Sequence, residues 1–528
     1  MKFLLINPPS PLSESASPSL GLAFIAGALE RAGVEVRVLD LVVFPYDRDR
    51  FEALLAEFQP RFVGLTAVTL AFDTAVDVVR DIKAVDPDIL TVMGGPHVSF
   101  CAGETMRDCP EIDFIVLKEG EETVVELVRA VDRGRDLAHV PGLVYREDGQ
   151  VKTNGYRPFQ HDLSLLPRPN RHLMPLGRYR TLGLPVTMTT SRGCPFKCIF
   201  CVGRNMVGSR VRYWDVPTVV DEIEYLSALG FWQVHIADDL FTANKKRCHA
   251  VCDGIMQRGL KVNWATYARV DTVSVELLEK MRAAGCTGLL FGVESASPDI
   301  LRLINKRTRP EQVVEAFKMC VDAGITPCAS FILGLPGETK ETLVENQEFG
   351  ERLKDLGAVY GFHFLVPFPG TRVRKEKNHF GIKILTDDWR EYNANRCIVV
   401  TEGTTPEMLD EIGERWDREI NEYYQEVRER AAIGQVSQAE SDMLFGMDGT
   451  QLTYELMMNR LLEEQGEWSD PNDTAGQALN ALADKAAAST GRPRELAFRV
   501  LDTALSRKNL EPIRENGRVH WAWVDYLD

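Results

Sequence analysis

Three features that would each indicate a class of protein are missing from this sequence. No apolar run approaches the roughly eighteen residues that a membrane-spanning helix requires, and no signal-peptide pattern is present at the start. Basic residues are not in excess: 61 Lys and Arg stand against 77 Asp and Glu, and the formal net charge is −16. A general binder of nucleic acid or of anionic membranes needs a basic face. We therefore expect a cytoplasmic protein with no transmembrane segment that does not bind nucleic acid.

Two common site patterns are also missing. No GxGxxG follows the first predicted strand, where Asn7 and Pro8 stand instead, so dinucleotide binding is disfavoured. No pair of CxxC or CxxH motifs is present, although a structural zinc site usually needs four such ligands. The composition, with 45% apolar and 26% charged residues in 528, is that of a soluble globular protein of about three domains.

The segment CPFKCIFC, residues 194–201, is the most informative part of the chain. Cys194, Cys198 and Cys201 are spaced so that their thiolates can bind three irons of a cubane cluster. The loop has no fourth cysteine, so one iron would stay open to a ligand that is not protein. A zinc site or plain buried thiols are the alternatives, and the spacing favours the cluster. The remaining cysteines of the eleven are interpreted as small buried apolar residues.

Short apolar runs alternate with helical patterns over the first part of the chain. Strands are predicted at 2–6, 34–39, 62–67, 90–93 and 114–117, with helices between them, which indicates a doubly wound, Rossmann-like parallel sheet. Ligands of such sheets bind beyond the carboxyl ends of the strands. The candidate ligand-binding residues at that edge are Asn7, Pro8, Thr66, Thr69, Gly94, Gly95, Pro96, His97, Glu119 and Gly120. By itself the Gly94–Gly95 pair is explained more readily by a plain turn.

Strands and helices alternate again in the middle of the chain. Six strands are predicted at 184–190, 233–237, 261–266, 288–293, 326–333 and 360–366, which indicates a partial (β/α)6, TIM-like barrel. Polar residues follow these strands, as the chemistry of such a barrel requires: Asp238, Asp239, Arg269, Glu294, Ser295 and Gly334. An amino acid joined to a ribose needs acceptors for its ammonium and hydroxyls and a cation for its carboxylate, and this edge offers both. Each acidic residue could instead be a helix cap.

Domain boundaries follow from these patterns. We predict a first domain over 1–140, a linker rich in Pro and Arg over 141–185, a barrel over 186–380 and a mostly α-helical domain over 381–528. From about residue 380 the periodicity is that of helices, and no strand pattern is evident.

The cysteine motif, with Phe200 before its last cysteine, resembles the signature of the radical SAM enzymes. The first domain resembles the cobalamin-binding domain that precedes the radical SAM core in one large subfamily, through its NPP start, its GG-P-H turn and its EGE turn. The resemblance implies that Cys194, Cys198 and Cys201 ligate a [4Fe–4S] cluster whose open iron chelates S-adenosylmethionine. It also implies contacts of that ligand with the Asp238–Asp239, Glu294–Ser295 and Gly334 segments.

One motif of cobalamin domains is absent. The D-x-H-x-x-G that donates a histidine to cobalt would fall near residues 40–45, which contain no histidine. We expect the dimethylbenzimidazole tail to be off the metal, with His97 as the nearest alternative ligand.

The resemblance implies the chemistry as well. S-adenosylmethionine would be cleaved reductively to a 5′-deoxyadenosyl radical, and methylcobalamin would supply a methyl group to an unactivated carbon of a small-molecule substrate. The electron donor would be a flavodoxin or ferredoxin. Radical oxidation, cyclisation or ring rearrangement without methyl transfer, and a non-catalytic cobalamin or redox sensor, are the alternatives. No catalytic acid or base is assigned.

Overall fold

A computed structural model describes residues 1–13, 17–468, 475–515 and 518–527. The first part of the chain forms a seven-stranded sheet in the order β2-β1-β3-β4-β5-β6-β7, in which the first five strands are parallel. Its strands are β1 (Lys2–Asn7), β2 (Glu35–Asp40), β3 (Phe62–Thr66), β4 (Leu90–Gly94), β5 (Phe114–Val116), β6 (Leu143–Glu147) and β7 (Gln150–Thr153). Its helices are α1 (Leu20–Arg31), α2 (Arg48–Phe58), α3 (Phe72–Val85), α4 (Pro96–Asp108) and α5 (Glu121–Asp132).

The doubly wound sheet predicted for this part is therefore confirmed. Strand order reverses between β1 and β3, and ligands of such sheets bind at that switch point. The antiparallel strands β6 and β7 lie inside the segment that we expected to be a linker. Leu143, Val144 and Tyr145 of β6 are buried, so these residues extend the sheet and its core.

A second sheet contains six parallel strands in the order β15-β14-β13-β12-β11-β8. The strands around it are β8 (Val186–Met188), β9 (Ser191–Arg192), β10 (Arg212–Tyr213), β11 (Val234–Ile236), β12 (Trp264–Ala268), β13 (Cys286–Glu294), β14 (Thr326–Leu333) and β15 (Val359–Phe364). The helices are α6 (Leu176–Thr181), α7 (Gly203–Val207), α8 (Val216–Ala228), α9 (Lys245–Gln257), α10 (Val275–Ala283), α11 (Pro298–Leu303), α12 (Pro310–Asp322) and α13 (Lys340–Asp355). This strictly sequential order is that of a partial (β/α)6 barrel, as predicted.

The last part of the chain is mostly helical. Its helices are α14 (Arg372–Lys375), α15 (Pro406–Ala432), α16 (Gln438–Met458), α17 (Leu461–Gln465), α18 (Ala475–Thr490) and α19 (Arg494–Ser506). Its short strands are β16 (Lys383–Ile384), β17 (Val399–Val400), β18 (Glu467–Trp468), β19 (Leu510–Glu515) and β20 (Arg518–Trp523). The expectation of helices without strands was wrong here, because most of these ladders are too short to show an apolar alternation.

One hydrophobic core runs through all three parts. A single cluster of buried side chains contains Phe3 of β1, Trp264 of β12 and Trp521 of β20. None of the described helices combines the length and the apolar character that crossing a membrane requires.

Candidate functional site

The cysteine loop begins directly after β9, at the edge where the strands of the second sheet end. Gly193 opens the loop with φ +114°, and a Cβ there would lie 2.4 Å from the carbonyl oxygen of Arg210. Only glycine fits this close approach. Its amide donates to Oδ2 of Asp239 at 3.1 Å, so the loop is fixed to the residue that follows β11.

The three predicted cluster ligands are free thiols. Cys194 and Cys198 are half-buried, Cys201 is exposed, and the amide of Gly203 donates to the Cys201 sulfur at 3.4 Å. Burial raises the pKa of the Cys194 and Cys198 thiols, and the nearby Arg269 and Lys306 cations oppose that shift. Across the described residues, no three His, Cys, Asp or Glu side chains are arranged to hold a single metal ion. In a cubane each thiolate binds its own iron, so the sulfurs need not converge, and this donor set fits a cluster with one open iron.

Asp238 is fully enclosed by the chain that leads into the cysteine loop. Its Oδ1 accepts the amides of Thr190 and Ser191 at 2.5 and 3.0 Å, and its Oδ2 accepts both of their hydroxyls at 2.6 Å. Arg247 holds Thr190 as well, through its hydroxyl and its carbonyl. The carboxylate of Asp238 therefore positions β9, whereas Asp239 is exposed towards a cavity that is described below.

Two cations lie beside the cysteine loop. The Arg269 guanidinium stacks 3.7 Å from the ring centroid of Phe196 and forms two bonds with Asp271, at 2.9 and 2.8 Å. The Lys306 ammonium donates to Oε1 of Glu294 at 2.7 Å, and both side chains are buried. Lys306 lies between α11 and α12, where the sequence carries no motif, so sequence reasoning missed it.

Glu294 ends β13 with φ +67°, in the left-handed region. A Cβ at Gly292 would lie 2.2 Å from its Oε1, so the ion pair with Lys306 requires glycine two residues earlier. Ser295 follows, completely buried, and its hydroxyl donates to Oδ1 of Asn346 at 3.2 Å.

Gly334 is joined to the same network. Its amide donates to Oε2 of Glu338 at 2.5 Å, while Nδ2 of Asn346 donates to Oε1 of Glu338 at 3.1 Å. Burial raises the pKa of Glu338 to about 8. Glu338 and Asn346 thus tie the ends of β13 and β14 together, and sequence reasoning did not single out Asn346. Phe200 packs, partly buried, on the apolar cluster beneath the loop.

A cavity of about 370 Å³ lies between the edges of the two sheets. From the first sheet it is lined by the predicted residues Thr66, Gly94, Gly95, Pro96, Glu119 and Gly120, together with Phe3, Leu5, Gly21, Leu22, Ile25, Gly64, Leu65, Val92, Val116, Lys118, Glu121 and Val124. From the second sheet it is lined by Thr189, Ser191, Arg192, Met206, Val207, Ala237 and Asp239. One residue of the second predicted site, Asp239, therefore faces the same space as the glycine turns of the first sheet.

Glycines shape the wall that the first sheet contributes. A Cβ at Gly21 would meet no atom within 4 Å and would stand in open space. At Gly95, with φ +101°, a Cβ would lie 2.7 Å from the amide nitrogen and the carbonyl oxygen of Ala67. The wall is otherwise mostly apolar, so it fits a bulky ligand with apolar faces, such as a corrinoid.

Four of the residues predicted for the first sheet do not line this cavity, namely Asn7, Pro8, Thr69 and His97; of the residues predicted for the second sheet, Asp239 alone lines it. Asn7 donates to Oδ1 of the buried Asp40 at 2.8 Å, and the hydroxyl of Tyr179 donates to Oδ2 at 2.9 Å. Thr69 is buried in a turn after β3.

His97 is enclosed by aromatic rings instead. Its ring stacks on Phe72 at 4.2 Å between centroids and meets the edge of Trp389 at 4.8 Å. Burial lowers the pKa of His97 to about 4, so the ring is neutral at pH 7. The suggestion that His97 could reach cobalt therefore has no support from its surroundings.

A buried set of ion pairs closes one side of the cavity and joins the two sheets. Arg192 donates to Glu121 at 2.7 Å, and Arg212 donates to both oxygens of Glu119 at 2.9 and 2.5 Å. All four side chains are at most 12% exposed. The EGE turn is thus held by the strand that leads into the cysteine loop and by its partner strand β10.

Known protein families match the parts of the chain that form the first and the second sheet. Residues 13–128 match the B12 binding domain family, and residues 188–350 match the radical SAM superfamily. The chain is 35% identical to an uncharacterized methyltransferase of Pyrococcus horikoshii over 78% of this chain and 90% of that protein. It is 31% identical to the anaerobic magnesium-protoporphyrin IX monomethyl ester cyclase of Rubrivivax gelatinosus, over 77% of this chain and 73% of the cyclase.

A solved structure also shares the fold. The radical S-adenosylmethionine methyltransferase TsrM of Kitasatospora setae, with tryptophan and a SAM analogue bound, superimposes with a TM-score of 0.63. The match has 22% identity and covers 77% of this chain and 87% of TsrM.

Proposed function

The chain belongs to the cobalamin-dependent radical SAM enzymes, and from this we propose that it transfers a methyl group to an unactivated carbon of a small-molecule substrate. The observation that carries the proposal is the shared cavity, where Gly94 and Gly95 of the first sheet face the same space as Ser191 and Asp239 of the second. Methyl transfer from cobalamin to a substrate carbon that is activated beside S-adenosylmethionine requires such a common space. The name of the Pyrococcus relative supports the same chemistry.

Three cofactors serve this reaction. Cys194, Cys198 and Cys201 would hold a [4Fe–4S] cluster, and the cavity wall of the first sheet would hold cobalamin. Asp239, Arg269 and the segments after β13 and β14 would hold S-adenosylmethionine. When bound, these groups supply the electron, the radical and the methyl group, which side chains cannot provide.

The protein's own side chains position the cysteine loop and shield the cavity. Asp238 fixes the chain ahead of the cysteine loop through its four hydrogen bonds. Arg269 and Lys306 place positive charge beside the thiolates, which stabilises their ionised form. The ion pairs of Arg192 and Arg212 close one side of the cavity, so water is excluded from part of it.

We further propose that the enzyme works in the reducing cytoplasm. All eleven cysteines are free thiols, as a reducing compartment favours. A flavodoxin or ferredoxin would supply the electron, and the exposed Lys197 and Cys201 leave the cysteine loop open to such a partner.

The experiment is anaerobic reconstitution with iron, sulfide and cobalamin, followed by reduction with dithionite and incubation with S-adenosylmethionine that carries a trideuterated methyl group and with small-molecule fractions of a cell extract. We expect 5′-deoxyadenosine together with a product that has gained the labelled methyl. Cys198→Ala should abolish formation of 5′-deoxyadenosine, while Cys328→Ala, which alters a half-buried thiol of β14, should retain it.

Two other outcomes would replace the proposal. Formation of 5′-deoxyadenosine with a product that lacks the label would indicate radical oxidation, cyclisation or ring rearrangement. An intact cluster that yields no 5′-deoxyadenosine with any fraction would indicate a sensor.

A further inference from the structure

Lys118 differs from the other non-glycine residues that line the cavity, because its backbone has a positive φ. It follows β5 with φ +58°, a conformation that glycine adopts freely and that strains a residue with a Cβ. Its amide donates to the Ser99 hydroxyl oxygen at 2.8 Å, and that hydroxyl donates to the carbonyl of Gly95 at 2.7 Å. A strained residue held this firmly at a cavity indicates a function for its side chain.

The side chain of Lys118 ends beside two aromatic rings. Its ammonium lies 3.8 Å from the ring centroid of Tyr156 and 5.4 Å from that of Phe159. Both distances are those of cation–π contacts, which orient the ammonium without neutralising it. Lys118 is half-buried, and burial lowers the pKa of its ammonium.

No carboxylate among the described residues forms a salt bridge with this ammonium. The nearest acidic residues in sequence, Glu119 and Glu121, are held by Arg212 and Arg192. Lys118 therefore brings to the cavity lining a cation that forms no salt bridge with any carboxylate that the structure describes. A half-buried cation of this kind favours an anionic ligand.

The positive charge of the Lys118 ammonium indicates that the ligand beside it carries an anionic group. Cobalamin carries one permanently anionic group that could pair with the Lys118 ammonium, the phosphodiester of its nucleotide tail. We propose that the ammonium of Lys118 binds this phosphodiester, an inference that rests on the proposed function. Lys118 lies on the wall of the first sheet, beside Gly120, whereas the reacting carbon must lie towards Asp239 of the second sheet. An anionic group on the substrate is the other possible source, and the test separates the two.

The test compares two corrinoids, hydroxocobalamin and cobinamide, which lacks the phosphodiester and the nucleotide. Their dissociation constants are measured on the full-length protein by quenching of tryptophan fluorescence. Lys118→Met should weaken cobalamin binding about tenfold and leave cobinamide binding within about twofold. Lys118→Arg should retain cobalamin binding within about threefold, because it keeps the charge. Added salt should weaken cobalamin binding to the wild type more than to Lys118→Met.

Lys152→Met is the matched control, because Lys152 lies on β7 of the same sheet and outside the cavity lining. It should bind both corrinoids as the wild type does. Lys118→Gly removes the charge and also relieves the left-handed strain, so it remains informative if Lys118→Met folds poorly. It should lose the same cobalamin affinity as Lys118→Met.

Several results would overturn the inference. Equal weakening of both corrinoids, or no weakening of either, would exclude a contact with the phosphodiester. Unchanged cobalamin affinity with impaired turnover would point to an anionic group on the substrate. If the wild type bound neither corrinoid, the cofactor assignment in the proposed function would be wrong and this inference with it. If it bound both and Lys118→Met did the same, the inference alone would be wrong.

Discussion

Asp238 and Asp239 are adjacent, yet the structure gives them different surroundings, and exchanging each for asparagine tests the difference. Asp238 is buried and accepts four hydrogen bonds from Thr190 and Ser191. In Asp238→Asn one amide oxygen can keep the two backbone bonds, but the amide nitrogen cannot accept the two hydroxyls. The Thr190 hydroxyl oxygen already accepts a bond from Arg247 at 3.0 Å, so it cannot easily turn to accept another.

The size of the effect follows from these bonds. Hydrogen bonds to a charged group contribute about 1.5–3 kcal/mol each, and the substitution loses two of them and weakens two. We expect Asp238→Asn to destabilise the second domain by about 3 kcal/mol, which lowers its Tm by roughly 5–10 °C. Because β9 leads into the cysteine loop, iron content after reconstitution should fall as well.

Asp239→Asn provides the contrast. Asp239 is exposed towards the cavity, and the amide of Gly193 donates to its Oδ2 at 3.1 Å. We expect its stability to change by less than about 1 kcal/mol, while S-adenosylmethionine binds about tenfold more weakly. The measurements are anaerobic thermal unfolding, iron analysis and equilibrium dialysis with S-adenosylmethionine. If Asp238→Asn unfolded like the wild type and lost only affinity for S-adenosylmethionine, Asp238 would be a ligand contact and the reasoning from its hydrogen bonds would be refuted.

Three further predictions concern the ion pairs between the sheets, the cluster and a buried acid. Arg212→Met should destabilise the protein by about 3–5 kcal/mol in urea unfolding, because it leaves the buried Glu119 carboxylate poorly paired. Arg210 is exposed, so Arg210→Met should hardly change the free energy of unfolding, and equal effects of the two substitutions would contradict this prediction. Cys198→Ala should lose the charge-transfer absorbance of the reconstituted cluster, and an unchanged spectrum would exclude Cys198 as a ligand. Burial raises the pKa of Asp40 from 3.8 to about 6, so the folded protein holds this proton more tightly than the unfolded chain does. The contribution of Asp40 to stability should therefore fall by up to about 3 kcal/mol as pH rises from 4 to 6, while the contribution of Glu338, whose pKa is about 8, continues to fall above pH 6. The pH profile of Asp40→Asn should differ from that of the wild type by this amount between pH 4 and 6, and an identical profile would refute the prediction.

The two sheets and the cysteine loop could be predicted because the patterns that indicate them involve residues that are close together in the sequence. Alternating strands and helices predicted both parallel sheets, and their edges hold most of the candidate residues. The spacing of Cys194, Cys198 and Cys201 predicted a cluster loop from eight residues of sequence. The resemblance to radical SAM enzymes and to cobalamin-binding domains also rested on such short motifs.

The sequence by itself determined the two sheets, the cysteine loop and the turns at the sheet edges, because periodicity and glycine positions are local properties. The tertiary structure alone decided which charges meet: Arg192 reaches Glu121 across 71 positions, and Arg212 reaches Glu119 across 93. It also withdrew Asp238 from the cavity and left Lys118 without a salt bridge to any carboxylate in the part of the chain that the structure describes. Pairings at such separations leave no pattern in the chain, since they depend on how two domains pack and not on the order of neighbouring residues.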